Sequence, residues 1–230
     1  MASDLGRRGF LGAAGVAVAT GALGADAPAT ARSVKILGIA TSPRKGKTTT
    51  AAVQACLDAA KAVNPIVEIE LVELAGMNIN GAVAAGVPLP AGQEDDFLKL
   101  VPVLTDPKVG GIIIGSPVYF GSMSSLCKAF LERWTAFRKL NFPLSGKVAG
   151  VVAVGANRNG GQELTIACIQ AAMMCHEMLV VGDGKPTAHR GATVWNQGDD
   201  ITKDEFGLST AKNLGRRVAE VALLVAGTRG

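Results

Sequence analysis

The amino-acid sequence predicts one α/β domain on a doubly wound, five-stranded parallel sheet of order 2-1-3-4-5. Three observations predict it. From Val34 onward, short apolar runs alternate with longer helical patterns. The runs "GGIIIGSP" and "KVAGVVAVGA" are unbroken stretches of small and β-branched residues, as strands covered on both faces require. Loops rich in Gly, Ser, Thr and Asn follow strands 1, 3 and 4, where such a sheet binds its ligands.

"VKILGIA" is a short buried strand, and residues 47–63 form helix 1, with Pro65 as its stop. "IVEIELVEL" alternates apolar and acidic residues, so strand 2 is less buried than strand 1. Residues 75–92 are a long loop rich in Gly, Ala and Pro, of the length that functional loops have. Residues 94–104 give helix 2, "GGIIIGSP" strand 3, residues 123–138 helix 3 and "KVAGVVAVGA" strand 4. Residues 161–175 form helix 4, "EMLVVGD" strand 5 and residues 204–225 the closing amphipathic helix. The segment "TAHRGATVW" has no place in this scheme.

Composition narrows the function. Of 230 residues 48% are hydrophobic and only 18% charged, enough for one filled core and against extended disorder. The net charge of +4 is not gathered into a basic run and aromatics are only 4%, so no nucleic-acid surface is expected. Cys56, Cys127, Cys168 and Cys175 form no C-x-x-C pair and read as small buried hydrophobes. Residues 1–31 stand apart from the domain at 32–230. Arg7 and Arg8, then Phe10 and Leu11, an Ala/Gly-rich apolar stretch and small residues at Ala27, Ala29 and Ala31 describe an export signal of twin-arginine type. That address implies a periplasmic or otherwise exported protein. The apolar stretch is too short and too Gly-rich for stable membrane insertion.

"TSPRKGKTTT" opens helix 1. A nucleoside-triphosphate loop needs glycine five residues before Gly46, where Thr41 stands, and needs a magnesium-binding Asp, whereas strand 3 ends in Gly115-Ser116-Pro117. What remains is a general phosphate cradle of helix N–H groups, hydroxyls and cations. The loop "SPVYFG" offers backbone donors and two aromatics to a flat ligand, and "NRNGGQ" offers amides and close backbone approach. A phosphate at one end and a flat heterocycle at the other describe FMN. His176 and His189 read as structural, and no catalytic triad, carboxylate pair or metal-ligand spacing is present in the sequence, so neither a catalytic side chain nor a metal is expected.

"SPRKGKT", "SPVYFGSMSSLCKAFLERW" and "GGQELT" together resemble the flavodoxin-like NAD(P)H-dependent FMN reductases, in the branch of the iron–sulfur flavoproteins and multimeric flavodoxin-like quinone reductases. The resemblance implies a phosphate loop at Ser42, Arg44, Lys47, Thr48 and Thr49. It implies a flavin-ring loop at Pro117, Val118, Tyr119, Phe120 and Gly121, and a third loop at Asn157, Arg158, Gly160, Gly161 and Gln162. It further implies NAD(P)H as donor, a quinone, flavin or similar acceptor, ping-pong hydride transfer, and a homodimer or homotetramer. It departs at "AGMNINGAVAAGV", where that branch carries cluster cysteines and this chain has none, so no cluster is expected. Export of a folded protein suits a cofactor held without a covalent bond, but NAD(P)H is not expected outside the inner membrane. A one-electron carrier of flavodoxin type, usually acidic, and a flavin-binding regulatory protein stay open as alternatives.

Overall fold

The computed structural model describes residues 33–228, and the export signal read at residues 1–31 lies outside them. Strands β1 (Val34–Ala40), β2 (Val67–Glu73), β3 (Val109–Pro117), β4 (Val148–Gly155), β5 (Leu179–Val180) and β6 (Ala192–Trp195) alternate with helices α1 (Thr48–Lys61), α2 (Phe97–Thr105), α3 (Ser125–Arg133), α4 (Thr135–Lys139), α5 (Gln162–Met174) and α6 (Glu205–Thr228). The strand pairs are parallel in the order β2-β1-β3-β4-β5, with β6 also on β4. The expected order holds, and the expected fifth strand is two short ones sharing one edge of β4. β5 pairs with Val148 and Ala149, and β6 with Val152 to Gly155. The chain leaves the edge through "GDGKPTAHRG", which carries turn residues but no apolar run, and the unplaced "TAHRGATVW" supplies β6.

Alternation along the buried strands divides the core in two. Ile36 and Ile113 face α1 and α6, joining Val53, Leu57, Leu214 and Val218. Leu37, Ile39, Ile112 and Ile114 face the opposite side, with Phe97, Phe130, Trp134 and Phe137. Gly215 lets α6 approach α1, since a β-carbon there would stand 1.8 Å from the Cys56 carbonyl oxygen. The single helix expected over residues 123–138 tightens at Trp134, whose N–H bonds back three residues to Leu131 O (3.1 Å). The rotation lets Phe130, Trp134 and Phe137 all turn inward, and His176 packs edge-on against Trp134 at 5.4 Å. Burial, reinforced by the positive charge of Arg138, pushes the His176 ring below its ordinary value. The long loop contains a 3-10 turn, Gly81–Ala85, and is held down by the ion pair between Asp95 and the buried Arg133.

The outer edge of β6 is covered by side chains. Thr193 N–H donates to Thr210 Oγ1 (3.1 Å) and Trp195 N–H to Asp204 Oδ2 (2.7 Å), while Thr193 O accepts from Arg158 (3.3 Å). Asp204, itself buried, also takes the Gly207 N–H (3.0 Å) and pairs with Arg158. Among the described residues no helix is long and apolar enough to cross a membrane.

Candidate functional site

The carboxyl ends of β1, β3 and β4 bring three loops together. The first runs from Thr41 to Lys47. Thr41 is fixed to β3 because both its N–H and its hydroxyl donate to Gly115 O (2.8 Å each). Ser124 locks it from the other side, donating to Thr41 O (2.7 Å) while its oxygen caps the Cys127 N–H (3.0 Å). Burial behind this junction pushes the Cys127 thiol up to about 12. Gly46, at φ 64°, turns the chain into α1, and its N–H donates to Glu73 Oε1 at the end of β2 (2.9 Å), an oxygen that Thr50 also bonds. The Ser42 oxygen accepts the Arg44 N–H (3.1 Å).

The start of α1 is left open. Its N-cap residue, Lys47, makes no side-chain cap, and the first turn carries no acid. The hydroxyls of Thr48 and Thr49, both buried residues, bond to no other described residue. Arg44 and Lys47 stand beside this end and both pair with Asp199 (2.7 and 3.5 Å), which comes from the segment between β6 and α6. Hydrogen bonding from Arg44 holds the Asp199 carboxyl below the usual carboxylate range. A helix end with free N–H groups, two free hydroxyls and two cations fits a terminal phosphate.

The second loop follows Pro117. Tyr119 and Ser122 exchange both main-chain bonds (2.8 and 3.0 Å), so Phe120 and Gly121 form a two-residue turn with φ of 51° and 72°. This is the geometry of a tight hairpin turn in which both central residues take positive φ. Two of the ring-facing N–H groups expected over residues 118–121 are already committed. Val118 N–H bonds Val154 O (2.9 Å), and Tyr119 N–H lies in the hairpin. Tyr119 and Phe120 stand exposed, Phe120 completely, and neither is a core aromatic.

The third loop, from Gly155 to Gly161, is braced from within. Gln162 is 2% exposed; its amide nitrogen donates to Asn157 O (2.6 Å) and its oxygen accepts the Gly160 N–H (2.8 Å). Trp195 Nε1 holds Ala156 O (2.9 Å). Arg158 turns outward to Asp204 and Thr193 O, with its guanidinium 6.0 Å from the Trp195 ring and 5.8 Å from that of Phe206. Burial lowers its pKa. Gly161 abuts the second loop: a β-carbon on it would lie 2.8 Å from Gly121 Cα. The structure therefore brings together the start of α1, the turn at Phe120–Gly121 and the wall at Gly160–Gly161, and makes Gln162 and Arg158 bracing residues. Sequence reasoning missed Ser116, whose hydroxyl oxygen accepts the Ser124 N–H (3.1 Å), and also Ser124, Glu73, Asp199, Asp204 and Trp195. Ser116 and Ser124 lay inside the quoted motif, whereas the last three lay in segments without a motif.

Fold and loops together define an FMN-binding α/β oxidoreductase of flavodoxin-like architecture. Residues 34–193 match the NADPH-dependent FMN reductase family, to which the chain belongs. It is 40% identical over 199 residues to an iron-sulfur flavoprotein of Methanocaldococcus jannaschii, covering 84% of this chain and 99% of that protein. It is 31% identical over 185 residues to an NAD(P)H dehydrogenase (quinone) of Chromohalobacter salexigens, covering 64% and 90%. The flavodoxin, WrbA-like protein of Agrobacterium tumefaciens superposes with a TM-score of 0.56 at 19% identity, over 83% of this chain and 97% of that one, a likeness of fold alone. Cys56 and Cys127 are buried as expected, whereas Cys168 and Cys175, also expected to be buried, are exposed on α5 and at its end. Among the described residues no group of three or more His, Cys, Asp or Glu is placed to hold a metal ion.

Proposed function

We propose that this FMN-dependent oxidoreductase takes two electrons from NAD(P)H and gives them to a quinone, a free flavin or a similar oxidant, with donor and acceptor using the same open site in turn. Bound FMN supplies the capacity to accept a hydride and pass the electron pair on. The chain's residues bind and orient. The N–H groups at the start of α1, with Ser42, Thr48 and Thr49, take the phosphate, and Arg44 and Lys47 add charge. The turn from Pro117 to Gly121 would hold the ring. Asn157, Gly160 and Gly161 form the opposite wall, held in shape by Gln162 and Arg158. The open, uncapped start of α1 carries this reading. The test is the purified protein itself: it should be yellow, release one FMN per chain on denaturation, and be bleached by NADH or NADPH without air. A colourless protein that also refuses added FMN refutes the reading.

The reading as an exported protein, and as a symmetric dimer or tetramer, belongs to the same proposal. Its support is Arg7, Arg8 and the apolar stretch after them, and the family resemblance for assembly. Replacing both arginines by lysine should stop export while leaving FMN content unchanged, measured by cell fractionation and absorbance. Export that persists overturns the address.

A further inference from the structure

Helix α5 is apolar on both of its faces. Ile166, Ile169 and Met173 enter the core, as a helix packed on a sheet requires. The opposite face is exposed at Leu164, Cys168, Ala171, Met174 and Cys175, with Ala167 and Ala172 half-buried at its margins. No Asp, Glu, Lys or Arg stands between Glu163 and Glu177. A helix that is apolar all round belongs inside a protein, whereas one with a solvent face carries charge there. Helices α1 and α6, on the other side of the sheet, follow that rule with exposed Asp58 and Lys61, and Lys212 and Arg217. The apolar face also runs into the candidate site. A β-carbon on Gly121 would lie 4.0 Å from Leu164 Cδ2, and the neighbouring Phe120 is completely exposed. The two ends of the face differ in charge. Glu163 is exposed at the start of α5, while at the far end Arg138 donates to Cys175 O (3.4 Å), and Arg138 and Lys139 outweigh Glu177.

We propose that a second copy of this chain covers this face, its α5 running antiparallel about a two-fold axis between Cys168 and Ala171. The proposal rests on the reading as a symmetric oligomer and supplies the surface through which it forms. About that axis Leu164 meets the partner's Cys175, Ala167 the partner's Ala172 and Cys168 the partner's Ala171, so every apolar residue faces an apolar one. Glu163 comes to the partner's Arg138, twice by symmetry. A parallel pairing would instead set Glu163 against the partner's Glu163 and Arg138 against the partner's Arg138. The residues at the axis are small, so the helices approach to about 8 Å. The partner's Arg138 then stands beside the Phe120–Gly121 turn, and each copy borders the other's cofactor site.

The experiment uses the full chain carrying FMN. Ala171→Glu sets a charge on each side of the axis, at a position exposed in the single chain, so circular dichroism and FMN content should stay as in wild type. Light scattering should show the mass of the assembly falling to half or less. Cross-linking reads the register. With a rise of 1.5 Å per residue, the two Cys168 are offset by about 4.5 Å along the axis and their Cα atoms lie about 6 Å apart, within reach of a disulfide. The two Cys175 are offset by about 16 Å, out of reach. Diamide removes two electrons and two protons from a thiol pair. It should give a cross-linked dimer with Cys175→Ala and none with Cys168→Ala. Glu163→Arg and Arg138→Glu should each raise the dissociation constant of the assembly at least threefold, and the double variant should recover it. An assembly whose mass survives Ala171→Glu, that cross-links through Cys175, that fails to cross-link through Cys168, or that the double variant does not restore overturns this interface. A wild-type protein that is monomeric refutes the oligomer reading itself, and the wild-type mass tells the two failures apart.

Discussion

The β1–α1 loop and the β4–α5 loop lie at the same edge of one sheet and use their polar groups in opposite ways. In the first, the shape is fixed by neighbours, through Thr41 on Gly115 and Gly46 on Glu73, while the hydroxyls of Thr48 and Thr49 are left without partners. In the second, the groups that a sequence reader would aim at a ligand are taken up inside the protein. Gln162 holds Asn157 and Gly160, and Arg158 holds Asp204 and Thr193. The difference is between a loop whose polar groups are left open and one whose polar groups are taken up inside the protein.

Three measurements test this contrast. Asp204→Ala should have the largest effect. It removes the anchor of Arg158, Trp195 N–H and Gly207 N–H at once and should destabilise the fold by about 3–5 kcal/mol in urea titration. The affinity of the surviving folded protein for FMN should change less than threefold. A large loss of affinity without loss of stability would make the wall a gripping element.

Thr48→Ala should act the other way round. Unfolding of the FMN-free protein should change by no more than about 1 kcal/mol, the loss of one buried methyl group. FMN binding should weaken by about 1.5–3 kcal/mol, the loss of a hydrogen bond to a charged acceptor. Equal affinities in a fluorescence titration would move the phosphate elsewhere.

Asp199→Asn should have the smallest effect, and of opposite sign. The carboxylate competes with a phosphate for Arg44 and Lys47, so its removal should tighten FMN binding by roughly two- to fivefold, as expected of exposed ion pairs. Arg44 depresses the pKa of Asp199, so this contact stabilises the fold at neutral pH and is lost as pH falls through the lowered value. The two proteins should therefore converge in acid. Weaker binding in the variant would show that Asp199 positions the cations for the phosphate and does not compete with it.

Much of this could be read from the chain alone, for identifiable reasons. "GGIIIGSP" and "KVAGVVAVGA" can be little but buried strands, and their alternation with helical patterns implies a parallel sheet, to which the doubly wound order was assigned. The open start of α1 was legible because hydroxyls, glycine and cations precede a helix start. β5 and β6 were not legible as a pair, because their apolar runs of two and four residues are too short to carry a period. The direction of Arg158 was hidden as well. Its partner, Asp204, lies 46 residues later in the chain, and a loop sequence does not say which way a side chain turns. Asp199 was missed for the same reason, at 155 residues from Arg44.

The covered edge of β6 also governs how copies of this protein can meet. A strand edge with free N–H and C=O groups invites a strand from another molecule, and natural sheets block this with charge and coverage. Here Thr210, Asp204 and Arg158 occupy the donors of Thr193 and Trp195 and the Thr193 acceptor. At the far edge, β2 carries Glu68, Glu70 and Glu73, so two such edges brought together would set carboxylates against carboxylates. Continuation of the sheet from one copy into the next is thus discouraged at both ends, and self-association is left to the helical faces and loops.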